Sequence, residues 1–412
     1  MAKIGIDFGT SYSTVSWINP RTYRAEPIRI NGKEKIPTML YYPSDSEIPL
    51  CGEEAYAIYE QCRLTTDESE IDEYMGGIFS DLKRNMDKDS IQYLPSGKTV
   101  HYVDLISEFL KYLKVQVEQN CFEGEKVTDV CITYPVDYPE YKKEIMQDAA
   151  TQAGFKKVKL LMEPVAAAMG YSNTFEYKNH SILVYDFGGG TFDIAFVKFD
   201  KNGDHITLQP MGNQNCGGEN IDQILYEEWD RIVKSQTGKP ISGLDGMIDK
   251  PFLKTECMHQ KETLCKVFCT QSNYTLRCFV GGMPRSMEVT KRDWNDKISP
   301  VIDQTINLTK QMLAKIKAEN MSIDKTILIG GSSRIPLVSE ELNKILSSSA
   351  LHVNDLDVAV ANGAAVFINQ GEVVVKKCFC RNCGQALNTK MRFCNNCGKD
   401  NIRYDYRFKD MK

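Results

Sequence analysis

Two stretches of this 412-residue chain repeat one design. "IGIDFGTSYS" (4–13) and "LVYDFGGGTFD" (183–193) each run from apolar residues into Asp, Phe and Gly, then into hydroxyl residues. Glycine lacks a Cβ, so backbone N–H groups around it can close on a phosphate as an anion-binding nest. Thr10, Ser11 and Thr191 add hydroxyl donors. Asp7 and Asp186, at the strand ends, suit a hydrated Mg²⁺, which takes a few carboxylates and keeps its waters. A third glycine turn, Gly330–Gly331–Ser332, follows far downstream. One such turn is commonplace; three in this order predict two related α/β halves facing each other across a phosphate-binding cleft.

Bulk properties narrow the class. Apolar residues make up 42% and charged residues 25%, ordinary for a folded protein of two or three domains. No apolar run reaches the ~18 residues of a membrane span. "MAKIGIDFGTSYS" carries no secretory signal pattern, so a cytoplasmic location is expected. Nine of the 14 cysteines are scattered before residue 370 without regular spacing, as reduced thiols would be. The other five crowd into residues 378–397.

Patterning predicts strands over 1–18 and 127–135, and helices over 101–122 and from Tyr138 to Gly154. "VKLLMEPVAAAMGYS" reads as a strand and a small-residue helix, and 180–200 as a hairpin. Helices are expected over 219–236, 251–268, 298–319, after Pro336 and over 357–370, with strands over 273–290 and from 325.

"DLKRNM", "ITYPV", "LMEPVAAAMGY", "CGGENID", "ILIGGSSRIP" and "DVAVANGAA" join the two repeats in linear order. Together these blocks resemble the ATPase domain of the heat-shock protein 70 (DnaK-type) chaperones, in the actin-like superfamily. The resemblance covers about residues 3–370. It implies an actin-like two-lobed α/β ATPase fold over 1–370, with lobes about 1–176 and 177–357. The helix 357–370 would pack back toward the first lobe.

The resemblance also implies a slow ATPase binding ATP or ADP with Mg²⁺. Asp7, Gly9, Thr10, Ser11 and Tyr12 sit where the family holds phosphates and metal; Gly188, Gly189, Gly190 and Thr191 form the second loop. Lys83, Glu163, Asp186 and Thr191 take catalytic positions, and Asp7 and Asp186 would reach Mg²⁺ through water. Gly217, Gly218, Glu219, Lys261, Gly330, Gly331, Ser332, Arg334 and Asp357 fall at the remaining nucleotide-binding positions. Pro135 falls at the family's proline switch, and Lys143 where a relay arginine usually sits. The adenine clamp departs: Lys261 is kept, but Met258, Glu262 and Cys265 replace a Glu, an Arg and a Ser. Cys257, Cys265 and Cys269 are read as packed thiols rather than, together with His259, a second metal site.

Past a short linker (371–377), the stretch 378–412 changes character. Cys380-x₂-Cys383 and Cys394-x₂-Cys397, each followed by Gly, make two thiolate knuckles ten residues apart. Four thiolates give zinc its tetrahedral site, with no open position for catalysis, so a structural zinc ribbon is expected. So short a segment cannot bury a core and needs the metal to fold. Nor can it hold the peptide-binding sandwich of about 100 residues that follows in the family. Residues 371–412 carry 10 Lys+Arg against 4 Asp+Glu, while the whole chain has a net charge of −5, so a basic tail follows an acidic body. The ribbon would dock a protein partner (a co-chaperone, exchange factor or client) or an anionic one. Two other readings are an actin-like filament former and an ATP-gated nucleic-acid or translation-associated adaptor working through the basic ribbon.

Overall fold

The computed structural model describes residues 2–64, 74–87, 90–122, 124–136, 138–171, 177–243, 249–280, 283–346, 351–352, 356–370, 378–379 and 386–387. The chain divides into two compact units, Met1–Ile368 and Asn369–Lys412.

In the first unit the main elements follow one another as β1 (Ala2–Asp7), β2 (Tyr12–Ile18), β3 (Ala25–Pro27), β4 (Lys35–Pro37), α1 (Tyr102–Asn120), β5 (Val127–Tyr134), α2 (Glu140–Gln152), β6 (Lys157–Met162) and α3 (Glu163–Gly170). The series repeats with β7 (Ser181–Phe187), β8 (Phe192–Phe199), β9 (His205–Thr207), β10 (Met211–Asn213), α4 (Gly218–Thr237), α5 (Asp249–Val267), β11 (Asn273–Val280), β12 (Met283–Thr290), α6 (Lys291–Ala318), β13 (Lys325–Ile329), α7 (Pro336–Ile345), β14 (Leu351–His352) and α8 (Leu356–Ile368). Short strands and the helix Glu53–Leu64 fill the span between β4 and α1.

Two mixed sheets carry the unit, and they share one topology. The first runs β6-β5-β1-β2-β3, the second β14-β13-β7-β8-β9. In each, a central hairpin is antiparallel (β1/β2, β7/β8) and two further strands add in parallel through helical crossovers. The repeated motif noticed in the sequence is therefore the first hairpin of each sheet. This is the duplicated α/β arrangement expected of an actin-like ATPase.

Each sheet has its own core. Ile4, Ile6 and Phe8 pack with Phe109, Leu110 and Leu113 of α1 on the first. Tyr185, Phe187, Phe192 and Phe196 pack with Trp229 of α4 and Ile298 of α6 on the second. A third cluster joins the two, through Cys131 and Leu161, the alanines of α3, and Ile182, Val184, Ile327 and Ala364. It is built by an exchange of helices: α3, from the first half, lies against β7 and β8, while α8, from the second, lies against β1 and β2. Where α3 and α8 cross, small residues let the backbones touch. A Cβ at Gly363 would overlap the Ala166 carbonyl, and one at Gly170 the Ala359 carbonyl.

One boundary differs from the sequence reading, which starts a helix at 298. Instead α6 begins at Lys291, with the Thr290 hydroxyl accepting from the Asp293 N–H at 3.0 Å. Pro300 lies inside it. Proline removes one donor from the helix ladder, and the Asp296 carbonyl left over accepts from Ser299 Oγ at 3.1 Å. The helix continues through Pro300 to Ala318.

In the second unit, Cys378–Phe379 pairs antiparallel with Ala386–Leu387. Cys380, Cys383, Cys394 and Cys397 lie outside the described residues, as does the linker 371–377. Among the described residues, no helix is long and apolar enough to cross a membrane.

Candidate functional site: a cleft between two glycine loops

The loops after β1 and β7 approach one cleft of about 250 Å³. Asp7, Gly9 and Tyr12 line it from the first hairpin, Asp186 and Gly330 from the second sheet, and Lys83 and Glu163 from the first half. Of the sequence-assigned residues, Asp7, Gly9, Tyr12, Lys83, Glu163, Asp186 and Gly330 therefore share this cleft, although their sequence numbers span more than 300.

The chemistry is concentrated on one lysine and three acids. Lys83 Nζ lies 2.5 Å from Glu163 Oε1, and Lys83 is 8% exposed. Glu163 opens α3, where the helix dipole favours a carboxylate. Burial opposes the charge on Lys83, but Glu163, Asp7 and Asp186 outweigh it, and the ammonium is held above its usual range. For Asp186 the balance is reversed. Burial, reinforced by Glu163, Asp193 and Asp7 and only partly offset by Lys83, pushes its carboxyl well up. Asp7 accepts from Thr133 Oγ1 at 2.9 Å. Asp7 and Asp186 thus repel each other, and Asp186 does so from a buried position, a repulsion that a bound divalent cation relieves. The donor set therefore fits a hydrated Mg²⁺.

The second loop is pinned from behind. The Gly218 and Glu219 N–H groups donate to the Gly188 and Gly189 carbonyls at 3.0 and 2.7 Å, and Ser332 Oγ donates to the Gly188 carbonyl at 2.8 Å. Gly188 N–H donates to the Thr191 carbonyl at 3.0 Å, while the Gly189 and Gly190 N–H groups donate to nothing among the described residues. Carbonyls held back and N–H groups left over are what an anion nest requires.

Other assigned residues fall differently. Thr10 and Thr191 line an adjoining cleft together with Lys83 and Glu163. Ser11 is exposed, and its carbonyl accepts from the Thr38 N–H at 2.9 Å. Lys261 is buried and already engaged, donating to Asp222 Oδ2 at 2.9 Å and to the Gly218 carbonyl at 3.1 Å. The Glu219 carboxylate faces Arg84 rather than the central cleft, with Nη–Oε distances of 3.2 Å. Arg334 is exposed on the turn Gly331–Arg334; Asp357 lies in α8, and its side chain is outside the described set. Gly217 precedes α4 as its N-cap. Lys143 rests 5.0 Å over the Tyr134 ring and bonds Glu140 at 2.9 Å.

Sequence reasoning missed Arg84, Asp222 and Thr133. Asp222 had a signal, an acid one turn beyond Glu219 on the same helix. Of the cysteines read as packed thiols, Cys257 is buried, with its thiol pushed up to about 12 by burial, whereas Cys269 is exposed, its Sγ 3.2 Å from the Cys265 carbonyl. Among the described residues no group of three or more His, Cys, Asp or Glu side chains is arranged to hold a metal directly. Magnesium reached through water needs no such group.

Comparison with known proteins gives a consistent result. The profile of the family described as "Hsp70 protein" matches residues 3–378. A ribosome-associated molecular chaperone of Zygosaccharomyces rouxii is 28% identical over 385 residues, covering 88% of this chain and 60% of that protein. The chaperone protein HscA homolog of Shewanella denitrificans is 26% identical, covering 90% of this chain and 58% of its own length. The HscA homolog of Shewanella sp. MR-4 is 27% identical with the same coverage. The chain therefore spans about three-fifths of these relatives. With the family profile matched over most of its length, the chain belongs to the Hsp70 family.

Proposed function

We propose that this protein is an ATP-binding and ATP-hydrolysing, chaperone-related switch whose residues 378–412 dock a partner. The observation that carries the reading is the convergence of Lys83, Glu163, Asp7 and Asp186 beside two glycine loops. Phosphoryl transfer needs positioning and charge neutralisation more than covalent chemistry. In this reading the N–H groups of Gly189 and Gly190 donate to phosphate oxygens, and Lys83 neutralises charge gathering on the γ-phosphate. Glu163 holds Lys83 and orders the attacking water. A bound Mg²⁺ would offset phosphate charge beside Asp7 and Asp186. Gly217, Gly218, Lys261, Gly330, Ser332, Arg334 and Asp357 would face the nucleoside end. Met258, Glu262 and Cys265 would make its grip on adenine weaker than the family's. Two lobes, about 1–176 and 177–357, would close on the nucleotide. The test is single-turnover hydrolysis of ATP by the full chain, with and without Mg²⁺. Mg²⁺-dependent release of ADP and phosphate is the expected result; hydrolysis no faster than the protein-free blank rejects the reading.

The second part of the proposal is the zinc ribbon formed by Cys380, Cys383, Cys394 and Cys397. Purified protein is expected to carry about one zinc per chain. Replacing Cys380 and Cys397 by Ser should remove it, as measured by elemental analysis of the desalted protein. Zinc retained by the doubly substituted chain would rule the ribbon out. A docking role follows from its basic charge against an acidic body, which suits a partner with an acidic surface.

A further inference from the structure

A second cleft, of about 740 Å³, opens beside the first and shares Lys83 and Glu163 with it. Thr10, Gly190 and Thr191 also line it, so both glycine loops contribute. The central cleft continues instead toward Gly330, Lys35 and Val360. If the nucleoside end of ATP points that way, the γ-phosphate end faces the second cleft. The second cleft leads outward past Arg84, Lys142 and Lys254, cations suited to a dianion.

One ion pair spans this passage. Arg84 follows Lys83 in the first half, and Glu219 lies in the first turn of α4 in the second; their side chains meet bidentately at 3.2 Å. The guanidinium lies directly over Gly190, where any Cβ would overlap Nη2. Its backbone is anchored, the Arg84 carbonyl accepting from Lys142 Nζ at 2.8 Å. Glu219 is anchored as well, its N–H donating to the Gly189 carbonyl. Both backbones are thus fixed to the phosphate-site walls while the charged heads bridge the opening. The heads are 42% and 60% exposed. An exposed pair is weak and opens readily.

Resting on the ATPase reading above, we propose that the Arg84–Glu219 pair is the gate through which inorganic phosphate leaves after hydrolysis. Phosphate in the passage is held behind the closed pair, and escapes when Arg84 lets go of Glu219. Held phosphate keeps its negative charge against Lys83 and the Gly190 loop, and so keeps the lobes closed on ADP.

The experiment uses the full chain loaded with fluorescent ADP and Mg²⁺, chased with unlabelled ADP with and without millimolar inorganic phosphate. Phosphate should slow ADP release from the parent. Arg84→Gln and Glu219→Gln should each reduce that slowing by about two- to fivefold, the upper part of what an exposed pair supplies. The double variant should do no more than either single, because both remove the same pair. Slowing that survives in both singles, additive effects in the double, or an effect of Arg84→Gln alone each overturn the gate. If the parent binds ADP but phosphate does not alter its release, the gate fails and the nucleotide reading stands. If fluorescent ADP does not bind the parent, the nucleotide reading fails and the gate with it.

Discussion

Lys83→Ala is expected to lower single-turnover ATP hydrolysis by about 10²- to 10³-fold, the usual cost of removing one donor aimed at developing transition-state charge. The expectation follows from how the lysine is held. Its ammonium is buried and fixed at 2.5 Å by Glu163, with Asp7 and Asp186 close enough to hold it charged. No other cation lines the central cleft except Lys35, among the described residues. A preorganised, buried charge acts with little reorganisation of solvent, which is why its loss falls on the chemical step. Binding of fluorescent ADP should fall far less than the rate. The substitution also leaves three carboxylates facing one another, so the melting temperature must be followed. Lys83→Arg, which keeps the charge but moves it, separates the two effects: it should fold like the parent and still hydrolyse slowly. If Lys83→Ala hydrolyses ATP at the parental rate, the catalytic assignment is wrong, whatever happens to stability.

What could be read in the sequence was what is local. A strand ending in Asp, followed by Gly and hydroxyl residues, encodes its hairpin within about ten positions, and both hairpins stand where the motif placed them. The shared topology of the two sheets follows from that duplication, since each hairpin recruits its parallel neighbours in the same order. The pairs that finish the site are not local. Thr133 reaches Asp7 only because β5 lies beside β1 in register, Gly5 opposite Cys131 and Ile6 opposite Ile132. Arg84, on a turn of the first half, reaches Glu219 in the first turn of α4 in the second, and nothing in "DLKRNM" marks its second cation as different from a solvated one. Lys261 was found by its motif, but its partner Asp222 depends on the packing of α4 against α5. The adenine side was also read from positions matched to a family clamp. Side-chain replacement at Met258, Glu262 and Cys265 left no pattern from which to derive a new geometry.

The α3–α8 crossing supplies the other large expected effect. Gly363→Leu should destabilise the first unit by more than ~3 kcal/mol, beyond ordinary overpacking, because the added atoms meet backbone and not a side chain that can turn away. A Cβ there already overlaps the Ala166 carbonyl, Cα and carbonyl carbon, so Gly363→Ala should be destabilising too, by a smaller amount. Gly76→Leu is the control. Nothing lies within 4 Å of its Cβ position, and surface changes of that kind stay within about 0.5 kcal/mol. Urea midpoints for the three variants give the comparison; Gly363→Leu unfolding at the parental midpoint would show that the helices do not meet as described. The crossing also ties stability to the site. Glu163 opens α3 and Val360 lies on α8, and both line the central cleft. Spreading the two helices therefore moves the acid that holds Lys83, and Gly363→Ala should slow hydrolysis in protein that remains folded. A variant with full activity and lowered stability would instead mean that the crossing holds the two sheets together without setting the geometry between them.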